Sequence, residues 1–86
     1  AALALAGGAG AGAIAWTYNL VSSVDGLPIA DADIWVTTDL AGLNVIASGR
    51  TDQFGNVTFN LDPGTIYVWR QKSQWVGENP DQEEVV

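Results

Sequence analysis

The first sixteen residues, AALALAGGAGAGAIAW, contain only Ala, Gly, Leu, Ile and Trp. No charge, hydroxyl or amide side chain interrupts them, so an arm of this kind left in water exposes apolar surface with nothing to offset the loss. Residues 17–86 read instead as short strands and turns carrying the acidic groups of the chain. A domain of about 70 residues buries only roughly 60% of the surface its unfolded chain exposes. It has little interior to spare for a long apolar arm. Assembly with other copies of the chain is therefore the first functional expectation, ahead of catalysis.

Three arrangements suit the arm. It can pack into neighbouring subunits as a donor strand. It can be the remnant of a signal peptide, or a linker, with small-x-small cleavage patterns at Ala11-Gly12-Ala13 and Ala13-Ile14-Ala15 but no basic leading region. It can also be an Ala-rich helix buried in an assembly core, where Gly7, Gly8, Gly10 and Gly12 each cost about 1 kcal/mol relative to Ala. The alternation of Ala9, Ala11, Ala13 and Ala15 with Gly is silk-like and favours extended packing. The arm is too short and too glycine-rich to span a membrane, which takes ~20 apolar residues. With no Met, the chain reads as beginning after a processing site or as a fragment.

Composition narrows the chemistry. There is no Cys and no His, which removes disulfides, zinc–thiolate sites, thiol nucleophiles and the commonest general base. Ten carboxylates face only Arg50, Arg70 and Lys72, for a net charge of −7. Binding to nucleic acid or an anionic membrane needs a basic patch, and none is present. Asp31 and Asp33 share one strand face, with Asp39, Asp52 and Asp62 in loops. No EF-hand spacing accompanies them, so the acidic residues read as a solvated surface. No metal site, cofactor or catalytic residue is expected.

The domain shows strand periodicity throughout. Ile14, Trp16, Tyr18 and Leu20 alternate with small or polar residues, and Ala32, Ile34 and Val36 alternate with Asp33, Trp35 and Thr37. Val45 to Ser48, the set Val57, Phe59 and Leu61, and Thr65 to Gln71 supply three more strands, and Glu84 to Val86 a short last one. The turns fall at Asp25-Gly26-Leu27-Pro28, Asp39–Asn44, Thr51–Asn56, Asp62-Pro63-Gly64 and Glu78-Asn79-Pro80-Asp81. No sustained helical stripe appears, and turn signals recur roughly every 8–12 residues, as in a small sandwich.

Three blocks resemble a known family. Gly26-Leu27-Pro28-Ile29-Ala30-Asp31-Ala32-Asp33-Ile34 is similar to the opening of carboxypeptidase regulatory-like domains. Ser48–Phe59, with Thr51-Asp52-Gln53-Phe54-Gly55, is similar to their hairpin, and Leu61-Asp62-Pro63-Gly64-Thr65-Ile66-Tyr67-Val68 to their next strand entry. The blocks occur in the family's order over about residues 17–76. The resemblance implies an all-β fold, a small Ig-like or transthyretin-like antiparallel sandwich, here with an extended apolar N-terminal arm. It implies a spacer or interaction role and no active site. Such sandwiches usually have about seven strands, so a missing edge strand and an open groove are expected, which an arm from another copy would fill.

The expected site residues follow. Leu3, Leu5, Ile14 and Trp16 form the assembly arm. Trp35, Tyr67 and Trp69 share one exposed face, because the parity that buries Ala32, Ile34, Val36, Ile66 and Val68 turns them outward. Asn56-Val57-Thr58 is a glycosylation sequon on a turn. Lys72, the only Lys, lies on the fifth strand and does not suit an isopeptide bond. The expected function is a structural subunit of an extracellular filament or another repetitive surface or virion assembly, a homopolymer whose partners are its own copies. The alternative is a carbohydrate-binding or adhesion module whose exposed aromatics stack on glycans.

Overall fold

The computed structural model describes residues 9–73 and 79–86. Six strands follow in order: β1 (Ile14–Asn19), β2 (Asp33–Thr37), β3 (Val45–Arg50), β4 (Asn56–Leu61), β5 (Gly64–Gln71) and β6 (Asp81–Val85). They form two antiparallel sheets, β1-β4 and β3-β2-β5-β6, and the described residues contain no helix. This is a small all-β sandwich. Its narrow sheet covers only part of its wide one.

The alternation in each strand places the core between the sheets. Tyr18 and Leu20 from the β1 side, and Phe59 and Leu61 from β4, meet Ile34, Val36, Ala47, Ile66, Val68 and Val85 of the wide sheet, all buried. Register fixes the faces. Val36 opposes Ala47 on one side and Val68 on the other, and Trp35 opposes Ser48 and Trp69. The ladder between β2 and β3 shifts between Val36 and Thr37, so that Thr37 opposes Val45.

Local chemistry sets the turns. Asp52 Oδ1 accepts the N–H groups of Phe54 (2.8 Å) and Asn56 (3.0 Å), and Gly55 takes φ +79° beside them. Asp39 does the same in the β2–β3 loop, where its carboxylate accepts from Leu43 N–H and Asn44 N–H, both at 2.9 Å. Those two backbone bonds, Asn44's first, hold the Asp39 carboxyl below its ordinary range. The buried Thr51 hydroxyl donates to the Ile29 carbonyl (2.7 Å) and accepts from Ala32 N–H (2.9 Å), tying the entry of β2 to the exit of β3.

Three sequence expectations change. The last strand begins at Asp81, not Glu84, because Asn79 satisfies Arg70's backbone at both its N–H (2.9 Å) and its C=O (2.8 Å) and leads the chain back along β5. Glu78 of the expected turn lies outside the described residues. Asp31 does not share a strand with Asp33. It sits at φ +59°, before β2 begins, while Asp33 pairs with Arg50 at 3.0 Å. Lys72 follows β5 rather than lying in it, and its ammonium donates to the Ala30 carbonyl. At the Pro63-Gly64 turn Gly64 takes φ +141°, a conformation that L side chains rarely adopt.

Candidate functional site

Of the expected arm residues, Leu3 and Leu5 lie outside the described residues. Ile14 and Trp16 are half-buried members of β1, opposite Leu61 and Phe59, with Trp16 against Tyr18 at a ring separation of 5.7 Å. Upstream of them, the foot of the arm is seated by main-chain bonds. Asn60 N–H donates to the Ala9 carbonyl (2.7 Å), and Gly12 N–H donates to the Asn60 carbonyl (3.0 Å). Asn60 faces Ala15 in the β1–β4 ladder at a position whose polar groups point away from β1, so this foot lies on the far edge of β4. The chain crosses there so closely that a Cβ on Gly12 would come within 2.1 Å of the Leu61 carbonyl carbon and 2.5 Å of Asp62 N. Only glycine passes.

Beside the foot, at the same end of the sandwich, an open cleft of about 400 Å³ has apolar walls of Ile46, Leu61, Pro63 and Ile66. Thr38, Thr65 and Asp62 also line it. Sequence reasoning did not find this cleft, since its walls come from β3, β4 and β5 and carry no joint signature.

Trp35, Tyr67 and Trp69 do share one face. Trp35 opposes Trp69, Thr37 opposes Tyr67, and all three aromatics lie on the outer side of the wide sheet. They are half-buried rather than fully exposed. Trp35 and Trp69 stack with ring centres 6.2 Å apart and planes 11° apart. Trp69 Nε1–H donates to the Thr37 hydroxyl (2.9 Å), and the β2–β3 loop crosses its edge, where a Cβ on Gly42 would come 2.8 Å from the indole. Thr37 and Ser48 on this face are consequently 0 and 7% exposed. The loop presents Leu40 and Leu43 to solvent beside Trp69, two apolar residues that the sequence reading passed over. Their signal was present, as two leucines in a turn of otherwise small and polar residues. By register, Gln71, Gln82 and Glu84 add polar groups to the same outer face.

Asn56 is the first residue of β4 rather than part of the turn before it. Its Oδ1 accepts from Asn19 Nδ2 at 2.8 Å, on the outer side of the narrow sheet.

A polar cluster closes the sandwich between β1 and β6. Tyr18 OH donates to Asp81 Oδ2 (2.9 Å) and accepts from Arg70 Nη1 (3.0 Å), while Arg70 Nη1 lies 4.0 Å from the same carboxylate. Burial, with help from the bond to Asp81, pushes the Tyr18 phenol up to about 12. Burial also raises the Glu83 carboxyl above its ordinary value, and its contact with Asp81 adds to the rise. A carboxyl raised in the folded state gains stability on protonation. That gain is present at low pH and lost as pH rises through the raised value. Glu83→Gln is therefore expected to raise the urea midpoint at pH 7 and to flatten its change between pH 7 and 5. The effect stays below about 1 kcal/mol because the group is largely solvent-screened. An unchanged pH profile in paired urea titrations would show that Glu83 does not contribute.

Among the described residues, no group of acidic side chains could hold a metal ion, and no helix is long and apolar enough to cross a membrane. Among the described residues the surface features are a backbone edge, an apolar cleft and a half-buried aromatic face. Comparison of the chain with protein-family models, with curated proteins and with solved structures finds no match.

Proposed function

We propose that this protein is a non-catalytic structural subunit that assembles with copies of itself into an extracellular filament or another repetitive surface or virion array, with residues 1–8 of the arm packing into neighbouring subunits, since Ala9–Gly12, Ile14 and Trp16 pack within their own sandwich. The observation that carries the reading is the seat of Ala9–Gly12 on Asn60. It supports Ala/Gly backbone as a ligand for this sandwich, bound through main-chain hydrogen bonds at a sheet edge, which is the physics of strand addition. The narrow sheet has room for such a guest. β1 and β4 pair only with each other, and the other edge of β1 has no strand neighbour among the described residues.

Apolar arm surface buried at ~25 cal/mol per Å² would stabilise a domain that is marginal alone. The sandwich is taken to be of the transthyretin-like type, and the adjacency of β2 and β5 supports that assignment. Trp35, Tyr67 and Trp69, with Leu40 and Leu43, supply a lateral contact.

The test is deletion of residues 1–8, which leaves the foot at Ala9–Gly12 in place. The intact chain is expected to form filaments or shells by electron microscopy and sedimentation. The shortened chain is expected to be a folded monomer by circular dichroism and sedimentation. Equal assembly by both chains, or monomers from both, would overturn the reading.

A second reading, a carbohydrate-binding platform, is favoured by the stacked Trp35–Trp69 pair with Gln71, Gln82 and Glu84 on the same face. It calls for saturable quenching of Trp fluorescence by an oligosaccharide, unaffected by the arm deletion.

A further inference from the structure

We propose that residues 2–6 of one copy pair as an antiparallel strand with the outer edge of β1 in the next copy. The inference rests on the reading of the chain as a self-assembling subunit whose arm packs into its neighbours. It adds the receiving edge, the register and the polarity of growth.

The receiving edge follows from the β1–β4 ladder. Asn60 turns its N–H and C=O away from β1, to the foot of the arm. Asn56 turns its own to Asp52, whose carboxylate accepts its N–H (3.0 Å) and whose N–H donates to its carbonyl (2.9 Å). Ala15 and Asn19 stand directly opposite these two residues, and Thr17 stands opposite Thr58 between them. In an antiparallel ladder both members of such a pair point outward, so Ala15, Thr17 and Asn19 direct their main-chain groups to the free side of β1. Those groups have no partner among the described residues. Their side chains are exposed, and Ile14 and Trp16 on the inner face are only half-buried.

Charge singles out this edge. The far edge of β4 is taken by the foot and by Asp52. In the wide sheet the edge strand β6 carries Asp81, Glu83 and Glu84, and the edge strand β3 ends in Arg50. Charged side chains of this kind discourage edge pairing. No side chain before Asp25 is charged, so β1 and the guest are both neutral in a chain of net charge −7. Elsewhere the like charges of two acidic copies oppose association.

The guest matches the edge in pattern. Leu3 and Leu5 alternate with Ala2, Ala4 and Ala6. With Ala4 opposite Thr17, the two leucines fall opposite Tyr18 and Trp16 on the inner face, beside apolar surface that Ile14 and Trp16 leave half open. The alanines extend the outer face. Three pairs, Ala2 with Asn19, Ala4 with Thr17 and Ala6 with Ala15, exchange about six main-chain hydrogen bonds. Main-chain bonds supply the affinity of strand addition, and the alternate side chains its register.

Reach assigns the guest to another copy. Ala9, Asn60 and Ala15 stand in one row across the sheet. A residue on the outer side of Ala15 is three interstrand spacings from Ala9, roughly 14 Å. The three residues from Ala6 to Ala9 span at most about 11 Å when fully extended. The arm therefore cannot pair in this register with its own β1. Donor and receiver lie on opposite edges of the same sheet, so the joint is heterologous and growth gives an open filament. Gly7-Gly8 is the whole link between guest and foot, which draws the two bodies into contact and adds area to the joint.

The chain has no cysteine, so introduced thiols read the register. In Ala4→Cys/Thr17→Cys the two Cα atoms lie about 5.5 Å apart across the joint, within disulfide reach. Oxidation under assembly conditions is expected to give a ladder of dimers, trimers and higher species on a non-reducing gel. Ala4→Cys/Thr58→Cys places the second thiol one strand further off, at roughly 10 Å, and should give about tenfold less ladder. Thr17→Pro removes an N–H that takes no part in the subunit's own ladder, so the sandwich is kept. It should raise the concentration needed for assembly about tenfold, equivalent to about 1.4 kcal/mol. Ala4→Pro, outside the six strands, should do the same from the guest side.

A disulfide confined to monomers, equal ladders from the two cysteine pairs, or assembly unchanged in both proline variants would each overturn the joint. If deletion of residues 1–8 abolishes an assembly that both proline variants leave intact, the arm reading stands and this edge is not its receiver. An intact chain that stays monomeric removes both.

Discussion

Phe59→Ala is expected to remove most of the chain's folding stability at room temperature. Among the described residues Phe59 is the largest fully buried side chain, contributed to the core by the narrow sheet. It opposes Trp16 across the ladder, and its ring lies beneath Gly49 of β3, where a Cβ would come 3.3 Å from it. Truncating a buried Phe to Ala removes apolar burial and leaves a cavity, together costing about 3–5 kcal/mol. Small domains have only about 5 kcal/mol or a little more in total. The measurement is a urea titration followed by circular dichroism, beside the unaltered chain. A midpoint that barely moves would mean that the two sheets are not held together through this ring. Phe54→Ala, five residues away but exposed, is the natural control.

Gly55→Ala should come second, with a loss of roughly 2–4 kcal/mol, from about 1–2 for the left-handed conformation and the rest from bonds that must give way. Gly55 has φ +79°, and a Cβ there would lie 2.4 Å from the Leu20 carbonyl oxygen. That oxygen accepts Ile29 N–H at 3.0 Å, and Leu20 N–H donates to the Gly55 carbonyl at 2.8 Å. One methyl group therefore strains the turn and pushes apart the junction that anchors the Val21–Pro28 hairpin to β4. Thermal unfolding reads the loss. A Gly55→Ala chain as stable as the parent would rule out the tight crossing of Leu20 over this turn.

These two sites differ in how visible they are in the chain. Gly55 stands in Thr51-Asp52-Gln53-Phe54-Gly55-Asn56, a segment whose residue types announce a turn needing a positive φ, and the structure places one there. Phe59 announces only that it alternates with polar neighbours and so faces inward. The five strands from β1 to β5 were legible for the same reason, because a period of two needs no knowledge of partners. β6 was misjudged because Asp81, Gln82, Glu83 and Glu84 lack the apolar alternation that marks a strand. Its pairing with β5 and the inward Val85 make it one. Trp35 and Trp69 oppose each other on one face of the wide sheet, as strand parity implies. The half-burial of Trp69 was not legible, because Gly42 of the β2–β3 loop folds back against its indole.

By itself the sequence determined the strand periods, the turns at Asp52–Gly55 and Asp62–Gly64, the absence of thiol and imidazole chemistry, and an apolar arm in need of a surface. Each of these depends on residue type and on neighbours a few positions away. The tertiary structure alone decided that the arm's foot lies on the far edge of β4, that Tyr18, Arg70 and Asp81 meet across the sandwich, and that an apolar cleft opens beside that foot. Those features join residues up to 63 positions apart in the chain. Such contacts are set by which sheet each strand enters and in what register, and that is resolved by packing the whole core rather than by any local pattern.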